Sequence, residues 1–419
     1  MKKLSLITLL LFTLNSFTQT SKNKWIEDID FLKTELPNTH VNFFFKKSKN
    51  DFGKELTTLK SELTQLSDFD IAIKLQQIIA GFGDSHTLIK WNKYLDKNKI
   101  IPIKPLWFDD GIYIIKASNN NKKILGKKIN KINGITIDTI IKRLSSILTI
   151  DNEAQIKKTI PQLLISIQLL KHFEIIQDDL ISFEVENKKG KIETHTLRIE
   201  NFNSKNSSLV SMKEIPLYLK NERKYFWSHY LTPENIYYIQ YNKCYSKEVE
   251  EQYGNPKKAT NLPSFKQFSN HVFSDLKTKE IDKLVFDMRF NPGGNSLQGT
   301  EFIKKLSEFK HLNQKGKLFV VIGKHTYSSA ILNTLGFKNY TNATIIGEET
   351  SGKPNHFGEV KTFRLPNSNL KVYYSTKYFK KVDNDVHTII PDVKINTTFS
   401  DFINGTDPTL EWVKNQSTN

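Results

Sequence analysis

From about Ile215 onward, strand-length apolar runs alternate with helix-length segments, and this alternation restricts the second half of the chain to an α/β architecture. Strands are predicted at 236–241, 284–288, 318–322 and 344–347, and helices at 297–309 and 330–338. Parallel neighbours cannot be joined by a tight turn, so strand–helix–strand order favours a largely parallel sheet with crossover helices. Sites in such sheets gather where strands end and helices begin. Two motifs fall there: Asp287-Met288-Arg289-Phe290-Asn291-Pro292-Gly293-Gly294 after one strand, and Thr326-Tyr327-Ser328-Ser329-Ala330 at the start of a helix.

The first half reads differently. Residues 1–20 have the form of an export signal, with Lys2 and Lys3 before an apolar run from Leu4 to Phe12 too short to span a bilayer. The mature chain is expected to begin near Ser21 and to reside outside the cytoplasm, periplasmic or extracellular, with no membrane span once the signal is removed. Residues 21–95 form a helical cap, because Ile26, Ile29, Leu32 and Leu36, then Leu56, Leu59 and Leu63, recur at three- and four-residue steps. A further helix from Asp68 ends at Gly81 and Gly83, which leaves Gly83-Asp84-Ser85-His86-Thr87 on the turn beyond a helix terminus. Residues 96–205 read as a PDZ-like module with a helical insertion: strand-like runs at 111–115 and 180–185 flank Asn133-Gly134, a strong hairpin signal. Residues 206–419 complete the α/β core.

The formal net charge of +17 raises the question of nucleic acid. Arginine occurs only at 143, 198, 223, 289 and 364, and the lysines are spread along the chain, which fits a solvated surface better than a phosphate groove. No nucleic-acid partner is expected. The single cysteine, Cys244, cannot form an internal disulfide and reads as a small buried residue in a Tyr-rich strand. No histidine pair shows the H-E-x-x-H arrangement, so a zinc hydrolase is not expected, and the serine chemistry read below calls for neither metal nor cofactor.

The motifs supply the parts of nucleophilic acyl transfer. A serine hydroxyl near neutral pH needs an adjacent base, and the carbonyl oxygen it attacks needs N–H donors where charge develops. Ser329 opens a helix directly after a strand turn; its plain structural alternative is a helix cap, with Ser328 as competitor. Paired Gly293 and Gly294 permit unusual backbone angles that leave N–H groups free, though Pro-Gly-Gly is also an ordinary turn. His86 is bracketed by Asp84, Ser85 and Thr87, which can fix its tautomer. His325 is a minor rival base.

In these motifs the chain resembles the tail-specific or C-terminal processing serine peptidases, in the branch of the tricorn core protease and the interphotoreceptor retinoid-binding proteins. The resemblance covers Asp68 to Thr87 and most of Ile215 to Val413, and adds two ordered matches: Gly347-Glu348-Glu349-Thr350-Ser351-Gly352, and Ile390-Pro391-Asp392-Val393. It implies a crotonase-like (ClpP/crotonase) α/β core beside the helical cap and PDZ-like domain. It also implies an exported serine endopeptidase cutting extended peptides or unfolded protein tails. Ser329 would be the nucleophile, His86 the base, Ser85 a partner of His86 or of a second hydroxyl, and Gly293, Gly294 and Ala330 the oxyanion cradle. Where the family has a late Glu, Asp385 stands; where it has a Glu on the nucleophile helix, Leu332 stands. Those departures motivate an alternative, a non-catalytic member binding peptides or apolar ligands, and an ester hydrolase is a third reading. Lys353 resembles the basic lysine of the family's other branch, but Phe357 replaces its glutamine, and His86 is preferred.

Overall fold

The computed structural model describes residues 4–417 apart from 97 and 201, with side chains from residue 22 on; the first three residues of the expected leader lie outside that range. Three sheets organise the fold.

One unit, buried on both faces, is a six-stranded sheet ordered Val393–Lys394, Thr344–Gly347, Leu318–Ile322, Lys283–Asp287, Ile236–Tyr241, Phe226–Leu231. All neighbours pair parallel except the last two, which are antiparallel. The central strands are apolar at nearly every position because both faces are covered, as a parallel sheet requires. Alternation of side chains sends Tyr237, Ile239 and Tyr241 to one face and Ile236 and Tyr238 to the other. Helices Phe265–Thr278, Ser296–Leu306 and Ser329–Tyr340 cover the first face, and Leu410 and Val413 of the C-terminal helix pack on the second. Phe286 lies between Phe302 and Phe337, with ring centroids 5.5 and 4.9 Å away. Truncating such a ring to Ala costs roughly 3–5 kcal/mol.

An antiparallel sheet follows the order Ile103–Phe108, Gly111–Ser118, Lys128–Ile132, Leu180–Glu186, Ile192–Arg198. The predicted Asn133-Gly134 hairpin is present: both residues have positive φ (48° and 79°) and Ile132 pairs with Ile135. Between its strands run the helices Ile137–Ser145, Glu153–Leu163 and Ile167–His172.

The N-terminal helix, Leu4–Thr39, packs Ile29, Leu32 and Leu36 against Phe52, Leu56 and Leu59 and against Ile71, Leu75 and Ile79. This cap is not built from its own segment alone. Its core takes in Leu365, Leu370 and Val372, contributed by a hairpin of His356–Arg364 and Lys371–Phe379. The short strand Leu88–Ile89 adds to that hairpin, with Leu88 opposite Tyr373 and Ile89 opposite Val372. The turn carrying His86 is therefore held at both ends, by a helix before it and a latched strand after it. No helix among the described residues is long and apolar enough to cross a membrane.

Candidate active site

His86 is positioned by the helix Asp68–Ala80, which begins with a reciprocal capping box between Ser67 and Asp70 and stops at Gly81. Gly83, at φ 78°, turns the chain sharply. Asp84 is buried and braces the turn: Oδ1 accepts the His86 backbone N–H at 2.9 Å, and Oδ2 meets His40 Nε2 at 3.0 Å and the Thr87 hydroxyl. Burial would raise this carboxyl, but the bonds from His40, Thr87 and the His86 backbone hold it below the usual carboxylate range. Asp84 thus grips the backbone of His86 and the ring of His40, leaving the His86 ring to other partners.

The second part of the site is the loop before helix Ser329–Tyr340. Thr326, fully buried, donates to the Met288 carbonyl at 2.9 Å and accepts the Gly323 N–H at 3.0 Å, tying this loop to the end of strand Lys283–Asp287. Ser328 follows at φ 53° and ψ −121°, a conformation an L residue adopts only when its surroundings enforce it. Its hydroxyl caps no helix N–H and instead lies 3.1 Å from His86 Nε2. A side chain thrust out on a strained strand-to-helix turn is the geometry of a nucleophile elbow.

This corrects the expectation for Ser329 by one residue. Ser329 is the first helical residue and is buried, and its hydroxyl donates to the Gly294 carbonyl at 2.7 Å, away from His86. Ala330 is corrected for a related reason: its N–H already donates to the Tyr327 carbonyl at 3.1 Å. The first N–H of the helix, that of Ser329, has no helix carbonyl within reach and lies beside Gly293.

The glycine pair lies against this turn, but Gly293 is corrected as an oxyanion donor, because its N–H is given to Asn291 Oδ1. Gly293 and Gly294 have φ of 99° and 136°, and a Cβ on Gly293 would come within 2.9 Å of both Ser328 Cβ and Ser329 N. Only glycine lets this loop touch the Ser328 turn. Asn291, buried, fixes it: Nδ2 donates to the Tyr241 carbonyl at 2.8 Å, Oδ1 accepts the Gly293 N–H at 2.9 Å, and its carbonyl accepts the Tyr327 N–H at 3.0 Å. Asp287 and Arg289 of the same motif are structural. Arg289 bonds Asp287 through Nε at 2.8 Å and grips Asp407 with both terminal nitrogens at 3.0 and 2.9 Å.

The other ring nitrogen of His86, Nδ1, lies 3.1 Å from the Tyr327 hydroxyl, which in turn donates to Ser85 Oγ at 2.8 Å. Ser85 donates to Asp151 Oδ2 at 2.5 Å. Ser85 therefore binds a second hydroxyl, one of the two partners anticipated for it. The ring of His86 also stacks between Tyr327 (centroids 4.9 Å apart) and His356 (5.6 Å). Its pKa is lowered to about 4, first by burial and further by the positive fields of His356 and Lys158, against an opposing pull from Asp84.

Asp385 does not join this network. Its side chain is 58% exposed and pairs with Lys353 at 3.5 Å. Lys353 is thereby directed to a carboxylate rather than to either serine. His325 stands beside Phe290 on a cavity of about 500 Å³ that also takes Lys104, Lys158 and Lys324; burial, then Lys158 and Lys324, lowers its pKa to about 3. Among the described residues it bonds neither serine. Cys244 is buried with its thiol pushed up to about 12 by burial, which suits a packing residue. No cluster of metal-ligating side chains occurs among the described residues.

Reading the sequence missed Ser328, Tyr327 and Asp151. The first two lay inside the quoted motif, where adjacent hydroxyl residues compete and spacing does not rank them. Asp151 carried no signal.

The family description "Peptidase family S41" matches residues 299–395. No curated protein matches the sequence. Among solved structures, mature CPAF complexed with lactacystin aligns at TM-score 0.64 and 13% identity, covering 94% of this chain and 98% of its own. Mature CPAF alone aligns at TM-score 0.62 and 12% identity, covering 94% of this chain and 96% of its own. The tricorn protease aligns at TM-score 0.42 and 13% identity, covering 93% of this chain and 35% of its own. The chain thus matches the model of peptidase family S41 over residues 299–395 and shares the fold of mature CPAF over nearly its whole length.

Proposed function

We propose that this chain is an exported serine endopeptidase that cleaves extended peptides or unfolded protein segments, with Ser328 as nucleophile and His86 as general base. The observation that carries the reading is the 3.1 Å contact between Ser328 Oγ and His86 Nε2 at a serine held in a strained backbone conformation. His86 is neutral near pH 7, because burial disfavours its charged form, and can therefore accept a proton.

In the reaction the Ser328 hydroxyl proton passes to His86 Nε2 as Oγ bonds to the peptide carbonyl carbon. The carbonyl oxygen takes the resulting negative charge and is met by the Ser329 N–H and the Gly294 N–H, assisted by the helix N-terminus, while the Gly293 N–H stays with Asn291 Oδ1. Collapse breaks the C–N bond, and the imidazolium returns its proton to the leaving amine. Water, deprotonated by the same imidazole, then releases the acyl group from Ser328. The cavity lined by Lys104, Lys158, Phe290 and Lys324 also takes in His325, three residues before Ser328, and gives an extended chain room to lie. We assign the core as crotonase-like, residues 96–205 as PDZ-like, and residues 1–20 as a cleaved leader. N-terminal sequencing of the exported product tests the last of these and should begin near Ser21.

The decisive experiment is labelling with a fluorophosphonate followed by peptide mapping. The adduct is expected on Ser328, with Ser328→Ala unlabelled and inactive on fluorescein-labelled casein, and Ser329→Ala still labelled. An adduct on Ser329, or none under any condition from pH 5 to 9, would remove the assignment.

A further inference from the structure

The hydrogen-bond chain behind His86 has a direction, and its far end is a carboxylate that none of the quoted motifs supplies. Ser328 Oγ–H can donate to His86 Nε2 only if that nitrogen is bare, which places the ring proton on Nδ1. Nδ1–H then donates to the Tyr327 oxygen, the Tyr327 hydroxyl donates to Ser85 Oγ, and Ser85 donates to Asp151 Oδ2. Every intermediate member can donate or accept, so none fixes the polarity of the chain by itself. An ionised carboxylate can only accept, and it does so at one end alone.

We propose that Asp151, rather than Asp385, is the acidic member of this site, a positioning residue that acts through Ser85 and Tyr327 to keep the His86 proton on Nδ1. The inference rests on the Ser328–His86 reading above. It is carried by an element outside the motifs, the segment between helices Ile137–Ser145 and Glu153–Leu163, and that segment is pinned to both sides of the site. Gln76 Nε2 of the cap donates to the Ile147 carbonyl at 2.9 Å, and Thr149 donates to the Thr87 carbonyl at 3.3 Å. Asn152 Nδ2 donates to the Thr350 and His387 carbonyls of the core at 2.9 and 2.7 Å. Asp151 is thus locked where Asp385, on an exposed stretch and paired with Lys353, is not.

A pH signature follows. Facing Asp151 are the Ser85 hydroxyl, which favours the ionised form, Lys353, which also does, and Asp84 and Asp385, which oppose it; burial is the largest influence and raises the carboxyl to about 6. Facing His86 are Asp84, His356 and Lys158, and its own pKa is about 4. Once protonated, Asp151 can donate back along the chain, which turns the Tyr327 hydroxyl toward Nδ1 and moves the ring proton to Nε2. The base is then disabled while still neutral. Activity should therefore fall as pH drops through about 6, well before His86 itself charges.

The test uses the full chain and two readouts, the rate of fluorophosphonate labelling at Ser328 and turnover of fluorescein-labelled casein, each from pH 4.5 to 8.5. Asp151→Asn should slow labelling at pH 7.5 by about 100-fold or more, as loss of an orienting carboxylate does elsewhere, and should abolish the limb near pH 6. Asp151→Glu should restore part of the rate and the limb, while Asp385→Asn stays within about twofold of the unmodified chain. Tyr327→Phe, which keeps the ring that stacks on His86, should reproduce the loss of rate and limb even if Asp151→Asn fails to fold. Wild-type rates and an unchanged profile in Asp151→Asn or Tyr327→Phe would overturn the proposal, as would transfer of the loss to Asp385→Asn. Failure of the unmodified chain to label at all would instead overturn the Ser328 assignment.

Discussion

A positive φ at a non-glycine residue is held by surroundings that forbid relaxation, and at Ser328 those surroundings are the Gly293 loop on one side and the His86 turn on the other. Two neighbouring hydroxyls then have opposite work. Ser328→Ala should lower kcat by about 10⁴-fold or more, because the proposed acyl bond forms at its hydroxyl, while leaving thermal unfolding close to that of the unmodified chain. Ser329→Ala should cost about 1 kcal/mol of stability from its lost bond to Gly294 and keep most of the activity. Parallel casein assays and thermal melts separate the two. Gly293→Ala is the sharper steric probe: its Cβ would meet the Tyr327 carbonyl at 2.8 Å and Ser329 N at 2.9 Å, at a φ of 99°. It should reduce the labelling rate by about 100-fold through displacement of the oxyanion loop. The sequence pattern located this turn to within one residue and no finer, because a helix start accepts serine at either position and the deciding quantity is a backbone rotation. The placement of the glycine loop and of His86 beside this turn was legible for the opposite reason: each has a local setting, paired glycines or a hydroxyl-flanked turn, that few other functions require.

At the level of elements, the site depends on short segments held by partners distant in sequence. The Asn133-Gly134 hairpin and the helix of residues 68–80 could be read directly, since turn residues and apolar spacing lie within a few positions of each other. The latch of Leu88–Ile89 onto Lys371–Phe379 and the docking of Asp151 beside Ser85 could not, because the first contact joins Leu88 to Tyr373 and the second spans 66 residues of chain. Asn152 gives a measurable handle on this difference. Besides its two bonds to the core, its Oδ1 caps helix Glu153–Leu163 by accepting the Gln155 N–H at 3.1 Å. Asn152→Ala should cost about 1–3 kcal/mol and, by loosening the segment that carries Asp151, should slow labelling at Ser328 as well. Ser67→Ala, which removes a cap on the helix Asp68–Ala80, should cost about 1 kcal/mol with a smaller effect on labelling. Urea titrations paired with labelling rates would show whether stability and reactivity part in this way; equal losses of reactivity at matched stability would count against the Asp151 segment as a positioning element.

Across the whole molecule, buried titratable groups couple the site to acid stability. His86 and His325 have folded-state values of about 4 and 3, both below the ordinary value of 6.5, so between those limits the unfolded chain binds protons that the folded chain refuses. Their contribution is fully present above pH 6.5 and is lost as pH falls toward their folded-state values. His356 is lowered for the same first reason, burial. Asp151 works the other way: raised to about 6 from 3.8, it takes up a proton on folding, and over that window it favours the folded state as pH drops. Asp287, also raised by burial, acts in the same direction as Asp151, but the three lowered histidines outnumber these two carboxyls, so the net slope has the histidine sign. The formal charge of +17 reinforces it, since further protonation adds to self-repulsion in the compact state. The unfolding free energy from urea titrations should therefore decline steadily from pH 6.5 to 4.5. In His325→Gln, which removes one refusing group, the decline should be shallower. A flat or rising stability on acidification would mean that the imidazoles are solvated in the folded chain, and that the cleft around Ser328 is more open than its packing implies.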